Sequence, residues 1–346
     1  MLLPIITDLH FGHKNSHQAV REYFFRFFEN TFFPYLDKHG IKEIINLGDT
    51  LDNRKFCNIE TLMMVRNRFF NPLEARGVKM HTIIGNHDVY YKSNNLTNSM
   101  AALYSRFPCM ELYTTCQDVD IGGKTFAMLP WISPADVQDF NRFLGSTKAK
   151  IAMGHLEILG YEVLRGVKSE EGMDPACLKV FDRVYSGHFH KKNGDSHIQY
   201  LGTAYDMDFG DLDEVKGFHV LNTDTMELEF IQNPEKMFVR LVYDGVEEIP
   251  DFSPVTGKYV KLQIKSKKDP NHYDKYIEKL YEANPEDVDP IEEYELLSTL
   301  TEQDIDVTED TLSIIYKDID NRPEITDKIG MKNLMNSLYI ESHEIE

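Results

Sequence analysis

The 346-residue sequence predicts an α/β protein of four layers, α/β/β/α, in which two sheets pack face to face between helices, followed by a small α/β module and C-terminal helices. Three observations predict it. Apolar strand-like runs alternate with segments of helical periodicity up to about residue 130, strand-like runs dominate the next hundred residues, and composition changes near residue 250.

The first strand is "LLPIIT". It leads into "HQAVREYFFRFFENTFFPYLDKHG", where Val20, Phe24, Phe27, Phe28 and Phe32 fall near helical spacing and Gly40 supplies a stop. "IKEIINLGD", the helix-like "NIETLMMVRNRFFNPLEARG" and "VKMHTIIGNHD" follow. This β-α-β-α-β order predicts a mainly parallel sheet with crossover helices, whose sites lie beyond the carboxyl ends of the strands. "VDIGGKTFAMLPW" reads as a hairpin turning at Gly122 and Gly123. "KAKIAMGHLEI", "FDRVYSGHFH", "HIQYLGTAY", "KGFHVLNTD" and "MELEFIQ" continue as strands, so the second half is richer in β-structure and fits a sandwich of two sheets flanked by helices.

Beyond residue 250, "DFSPVTGKYVKLQIKSKKDP" reads as a linker and a basic strand, and "NHYDKYIEKLYEAN" as a helix. Residues 281–310 contain no Lys or Arg and many acidic residues, the pattern of a solvated linker. The closing "MKNLMNSLYI" places Met331, Leu334, Met335, Leu338 and Tyr339 on one helical face, which packs on the protein's own core or docks on a partner. The expected division is therefore 1–250, 251–305 and 306–346.

Lys and Arg number 37 against 57 Asp and Glu, a net charge of −20, which argues against a nonspecific nucleic-acid binder working through a general positive field. DNA remains open as a substrate, because bound divalent metals can supply local positive charge. Cys57, Cys109, Cys116 and Cys177 show no CxxC spacing and read as reduced thiols. The N-terminus lacks a basic leader pattern, and no apolar run approaches a membrane span. A soluble cytoplasmic protein without membrane contact is expected.

Five strand-like segments end in side chains suited to metals: Asp8 and His10 in "DLH", Asp49 in "LGDTLD", Asn86 and His87 in "GNHD", His155 in "GHLEI", and His188 and His190 in "GHFH". If the strands run through them, Asp8 with His10 and His188 with His190 each share a face, because the side-chain period is two. Four segments carry a glycine before the ligand, at Gly48, Gly85, Gly154 and Gly187, where the chain turns closely around a site. Any one of these histidines alone would be a satisfied structural residue. Five such clusters together point to a metal centre assembled from distant segments.

D-x-H, G-D-x-x-D, G-N-H-D, G-H and G-H-x-H, in this order over roughly residues 3–205, resemble the calcineurin-like metallophosphoesterase superfamily. The resemblance implies two divalent metals bridged by a carboxylate: Asp8, His10, Asp49 and His190 on one, and Asp49, Asn86, His155 and His188 on the other. Oxygen and imidazole donors without thiolate suit Mn or Fe, with Mg and Zn as alternatives. His87 would stand over the phosphate, stabilising the transition state or protonating the leaving oxygen. Asp52 would orient His87 or serve a turn, and Arg54 would contact phosphate or lie in a solvated loop.

Within the superfamily, "HTIIGNHDVYYK", "MLPWISP", "VYSGHFH" and "IQYLGTAYDMDFGD" resemble the nuclease subunit of SbcCD-type repair complexes, especially the recombination endonuclease subunit of tailed phages. That resemblance implies a Mn-dependent double-strand exonuclease and single-strand endonuclease with a capping domain, a homodimeric state, and C-terminal helices that bind the coiled coil of an SbcC-type ABC ATPase. Lys258, Lys261, Lys265, Lys267 and Lys268 offer a patch for DNA or protect an edge strand. The alternative is a phosphoesterase acting on a small nucleotide or phosphoprotein with the same metal site.

Overall fold

The computed structural model describes residues 1–164, 166–245 and 248–292, together with 319, 328, 330–332 and 335. Strands β1 (Leu2–Ile6), β2 (Glu43–Asn46), β3 (Lys79–Ile83) and β4 (Met110–Tyr113) run parallel, as the alternating pattern predicts. β1 reads as an uninterrupted apolar run because both its faces are buried: Leu3 and Ile5 face the second sheet, while Ile6 faces the helices. β5 (Gln117–Ile121) and β6 (Lys124–Leu129) form the expected hairpin. Gly122 and Gly123 have φ of 57° and 76°, the two left-handed positions that a two-residue hairpin turn requires.

β7 (Ile151–His155) pairs parallel with β6; β8 (Glu162–Leu164) and β9 (Val167–Lys168) form a small outlying hairpin. β10 (Arg183–Gly187), β11 (Asn193–Gly194) and β12 (Ile198–Tyr200) complete a second six-stranded sheet of order β11-β12-β10-β7-β6-β5. β13 (Gly217–Asn222) and β14 (Leu228–Gln232) do not join it. β13 returns antiparallel to β1 and β14 antiparallel to β13, making the first sheet β14-β13-β1-β2-β3-β4 and mixed rather than wholly parallel. Leu3, Ile45, Phe126, Met153 and Tyr185 fill the space between the sheets. Helices cover both outer faces, through a phenylalanine-rich cluster on the first sheet and one around Phe140, Leu178 and Phe181 on the second. The four-layer α/β/β/α sandwich is thus formed.

The two long helical segments depart from simple periodicity in the same way. Gln18–Phe27 passes through a wide π turn at Phe28–Phe32 into Phe33–His39, and Ile59–Val65 through one at Arg66–Phe70 into Asn71–Ala75. Each π turn lies just before a proline, Pro34 or Pro72, which has no N–H for the i−4 carbonyl. The ladder answers by reaching one residue further, as Phe33 N–H does to Phe28 and Asn71 N–H to Arg66. Phe27, Phe28 and Phe32 still all face inward through the π turn, and each is fully buried. Gly40 closes the first segment with φ 62°, as predicted.

β15 (Phe238–Tyr243), β16 (Tyr259–Ile264) and β17 (Asp287–Glu292) form a separate three-stranded sheet, packed on the helix Pro270–Glu282 around Val260, Leu262, Tyr276 and Leu280. Two expectations are corrected here. The basic strand is the centre of this sheet and not an edge, because β15, drawn from before residue 251, pairs with it in parallel register. Part of the acidic stretch is β17, whose position at the edge tolerates Pro290. Most of the predicted linker and the amphipathic 331–340 segment lie outside the described residues.

Candidate metal centre

All five ligand-bearing segments reach one place, where the carboxyl ends of parallel strands in the two sheets meet. The first sheet brings Asp8 and His10 after β1, Asp49 after β2, and Asn86 and His87 after β3. The second brings His155, the last residue of β7, and His188 and His190 after β10.

The backbone does this in a way the period-two reading missed. The strands stop at Ile6 and Gly187, and Asp8, His10, Asp49 and His188 follow with positive φ of 52°, 42°, 49° and 91°. Left-handed backbone costs a non-glycine residue about 1–2 kcal/mol. Here it is over-determined by neighbours. Asp8 N–H donates to the Gly48 carbonyl (3.1 Å), His10 N–H to that of Asp49 (2.9 Å), and Phe11 N–H to that of Thr50 (3.0 Å). Between each ligand pair the intervening side chain, Leu9 or Phe189, turns into a core cluster.

The glycines make room. A Cβ on Gly85 would stand 2.1 Å from Asp49 Oδ1, and one on Gly187 would stand 2.0 Å from Thr7 Oγ1 and 2.9 Å from Asp8 Oδ2. Gly48 additionally has φ 98°. Gly154 differs, since its missing Cβ faces the Leu156 side chain and not a ligand.

Donor atoms of Asp8, His10 and His190 lie within 4.8 Å of one another, as do those of Asp8, Asp49 and His155, and those of His10, Asp49 and His87. His10 Nε2 stands 3.0 Å from His190 Nε2 and 3.7 Å from Asp49 Oδ2. His155 Nε2 stands 3.3 Å from Asp49 Oδ2 and 2.9 Å from Asn86 Oδ1, which also lies 2.9 Å from His188 Nδ1. Asp8, His10, Asp49 and His155 are at most 1% exposed, whereas His87, His188 and His190 are half-buried and line the open side.

The atoms turned away from the centre are held by the protein. The Leu47 carbonyl can only accept, so His155 Nδ1–H donates to it (2.8 Å) and Nε2 faces inward. Backbone N–H groups of His188 and His87 donate to Asp8 Oδ1 (3.0 Å) and Asp49 Oδ1 (2.7 Å). Burial pushes Asp49 up, but its contacts with His155 outweigh this and hold the carboxyl well below the usual range. Burial pulls His155 down, but Asp49 raises it to about 9. Burial and the charge on His155 push His188 down to about 3, and burial with His10 holds His190 well below its ordinary value, so both keep lone pairs at neutral pH. Two Nε2 atoms 3.0 Å apart and an amide oxygen between two imidazoles bring several lone-pair donors to one spot. Divalent cations fit this donor set of carboxylate, amide oxygen and imidazole.

The remaining predicted residues are placed differently. His87 Nδ1–H donates to the Asp52 backbone carbonyl at 2.5 Å, while the Asp52 carboxylate lies against His10 and His13 and does not touch His87. Arg54 is half-buried and makes no hydrogen bond or ion pair among the described residues. Asp88 had drawn no role from the sequence, although it is the last letter of "GNHD". Fully buried, it accepts N–H bonds from Gly85 (2.9 Å), Thr50 (3.1 Å) and Leu51 (3.4 Å), tying two ligand loops together; burial and the charge on Asp49 push it up to about 7. Trp131 of "MLPWISP" lies against His188, with ring centroids 5.3 Å apart. Lys216, also unassigned, is buried and holds the His190 carbonyl at 2.9 Å.

The sequence profile of the calcineurin-like phosphoesterases matches residues 2–192, the span that carries every one of these ligand candidates. The chain belongs to that family.

Among curated relatives, exonuclease subunit 1 of Enterobacteria phage T4 is 28% identical over 320 residues, covering 89% of this chain and 90% of that protein. The SbcD subunit of the SbcCD nuclease from Staphylococcus epidermidis is 24% identical over 177 residues, 42% of this chain and 46% of the relative. Among solved structures, an archaeal phosphodiesterase (12% identical, TM-score 0.33) spans 67% of this chain and 100% of its own. GAP50 of Plasmodium (13%, TM-score 0.42) spans 68% and 90%. This phosphoesterase therefore has nucleases among its relatives. Among the described residues no helix is long and apolar enough to cross a membrane.

Proposed function

We propose that this protein is the metal-dependent nuclease subunit of a recombination or double-strand-break repair complex, with double-strand exonuclease and single-strand endonuclease activity. The supporting observation is the convergence of seven ligand candidates and His87 at one open edge, in a chain similar to a phage exonuclease subunit over nine-tenths of its length.

Asp8, His10, Asp49 and His190 would hold one divalent ion, and Asp49, Asn86, His155 and His188 a second, with Mn suited to the donors and Fe, Mg or Zn as alternatives. Such ions, when bound, polarise phosphate oxygens and lower the pKa of water. The protein's own part is positional. Its buried carboxylates and carbonyl-anchored imidazoles fix the donors before substrate arrives. His87, its Nδ1–H committed to the Asp52 carbonyl, would hand a proton carried on Nε2 to the leaving oxygen. Arg54 supplies a cation for the flanking phosphate. Lys261 and Arg240, the latter paired with Asp213 at 3.2 Å, stand side by side across β16 and β15 of the small sheet, which we read as the cap.

The partners follow from the same reading. A second copy would cover Phe56, Ile59 and Met63, which are 77%, 78% and 49% exposed, the last two one helical turn apart. Residues 306–346 would dock on the coiled coil of an SbcC-type ABC ATPase, and the site of action would be the cytoplasm.

The test is cleavage of linear duplex and circular single-stranded DNA by purified protein with Mn, Mg or chelator, beside an aryl phosphodiester. Mn-dependent DNA cleavage, lost in His87→Ala while metal binding persists, is expected. Turnover of the aryl ester with DNA left intact, even after the ATPase partner is added, would overturn the nuclease reading.

A further inference from the structure

His13 belongs to none of the ligand sets, yet it touches what holds them. Its Nδ1 lies 3.1 Å from Asp52 Oδ1 and its Nε2 3.2 Å from the Met207 carbonyl. The same Asp52 oxygen lies 3.2 Å from His10 Nδ1, and the Asp52 carbonyl accepts the bond from His87. Asp52 thus contacts both a ligand candidate and the histidine over the phosphate. His13 fixes its carboxylate from the outer side.

The chain leaves His13 through an unusual turn. Lys14, Asn15 and Ser16 have φ of 50°, 54° and 61°, three successive non-glycine residues in left-handed backbone. Such a run persists only where its surroundings over-determine it. The turn is closed locally by Ser16 N–H to the Gly12 carbonyl (2.8 Å) and His17 N–H to that of Lys14 (3.1 Å), and it also meets the three-stranded sheet, where the Lys14 ammonium lies over the rings of Phe238 (5.6 Å) and Tyr259 (5.9 Å). His17 Nδ1 is 3.2 Å from the Tyr259 hydroxyl and its Nε2 3.6 Å from Glu286. The turn is held on Asp52 at one end and on β15 and β16 at the other.

We propose that His13 is a positioning residue, setting His10 and His87 through Asp52, and that the left-handed turn makes this setting depend on the three-stranded sheet. The proposal rests on the phosphodiesterase reading above.

Two substitutions separate the two contacts of His13. His13→Asn keeps an N–H near the position of Nδ1 and loses the reach to Met207; His13→Gln keeps that reach and loses Asp52. In the full-length protein, Mn titration followed by electron paramagnetic resonance and aryl phosphodiester turnover are measured, with melting temperature as the check on folding. His13→Gln should weaken Mn binding by about tenfold and lower kcat by about 10–100-fold with KM little changed, whereas His13→Asn should stay within about threefold of wild type. Lys14→Gly, which relaxes the backbone and frees the turn from the rings, should lower kcat without lowering the melting temperature.

Equal loss in the Asn and Gln variants would mean a merely structural histidine and overturn the proposal, as would wild-type behaviour in both. Unchanged kcat in Lys14→Gly would overturn the link to the sheet. Wild-type protein that binds Mn without cleaving any diester would reject the proposed reaction while the Mn titration still decides His13. Absence of Mn binding in wild type would overturn both.

Discussion

Gly85→Ala offers a direct test of how the centre is built. The added methyl would start 2.1 Å from Asp49 Oδ1 and 2.6 Å from Asp49 N, both anchored by the loop that carries the ligand. To reach the lower edge of ordinary contact, near 3.4 Å, the carboxylate oxygen must retreat by about 1.3 Å. That breaks the 2.7 Å bond from His87 N–H and carries Oδ2 away from His10 and His155. Misplacement of about 1 Å at a reacting centre costs on the order of a hundredfold in rate. Overpacking costs about 1–3 kcal/mol of stability, or about 1–4 °C in melting temperature at this size. The assay is aryl phosphodiester turnover in Mn, with Mn affinity and thermal melting on the same samples. Gly145→Ala is the control, because its Cβ would meet nothing closer than 3.5 Å. Wild-type turnover and Mn affinity in Gly85→Ala would refute the claim that backbone closeness at Gly85 sets Asp49.

Other outcomes follow from the same geometry. Asp88→Asn must turn an NH2 group toward one of the backbone N–H donors from Gly85, Thr50 or Leu51, and should cost about 1–3 kcal/mol in urea denaturation; an unchanged midpoint would refute the tie between the loops. Phe28→Ala removes a fully buried ring packed at 4.9 Å on Phe69 and 5.7 Å on Phe11, and should cost about 3–5 kcal/mol in the same measurement. Mn at a hundred times its Kd should stabilise the folded state by about 2.7 kcal/mol, seen as a calorimetric shift that chelator reverses and His190→Ala diminishes. No shift at any concentration would contradict a metal centre.

Much of this architecture can be read from residue order, because β1, β2, β3, β7 and β10 are short, largely apolar runs that each lead to a ligand, and a run buried on both faces needs no alternation. What escaped the sequence has physical reasons. The π turns before Pro34 and Pro72 keep the same residues inward that a regular helix would, so periodicity alone does not reveal them; the two Phe-Phe pairs close to a proline were the available signal. Left-handed backbone at Asp8, His10 and His188 has no signature, since it is imposed by neighbouring loops and not by glycine. The central place of β16 was hidden because its partner β17 is charged and contains proline. Asp52 lies beside the centre, but which imidazole its carboxylate meets depends on side-chain direction. The distance of three residues from Asp49 cannot encode that.

The division of ligands between the two sheets also bears on how the chain comes to be active. His188 and His190 meet Asp8 and His10 across 180 positions of sequence, and the strands that present them share no hydrogen-bonded ladder. Neither sheet alone carries a complete set. A nascent or partly unfolded chain therefore has no assembled centre, and the capacity for phosphoester chemistry arises only once one sheet has closed upon the other. Local fraying that parts the sheets would silence the protein. Correct tertiary structure is thus the protein's own safety catch.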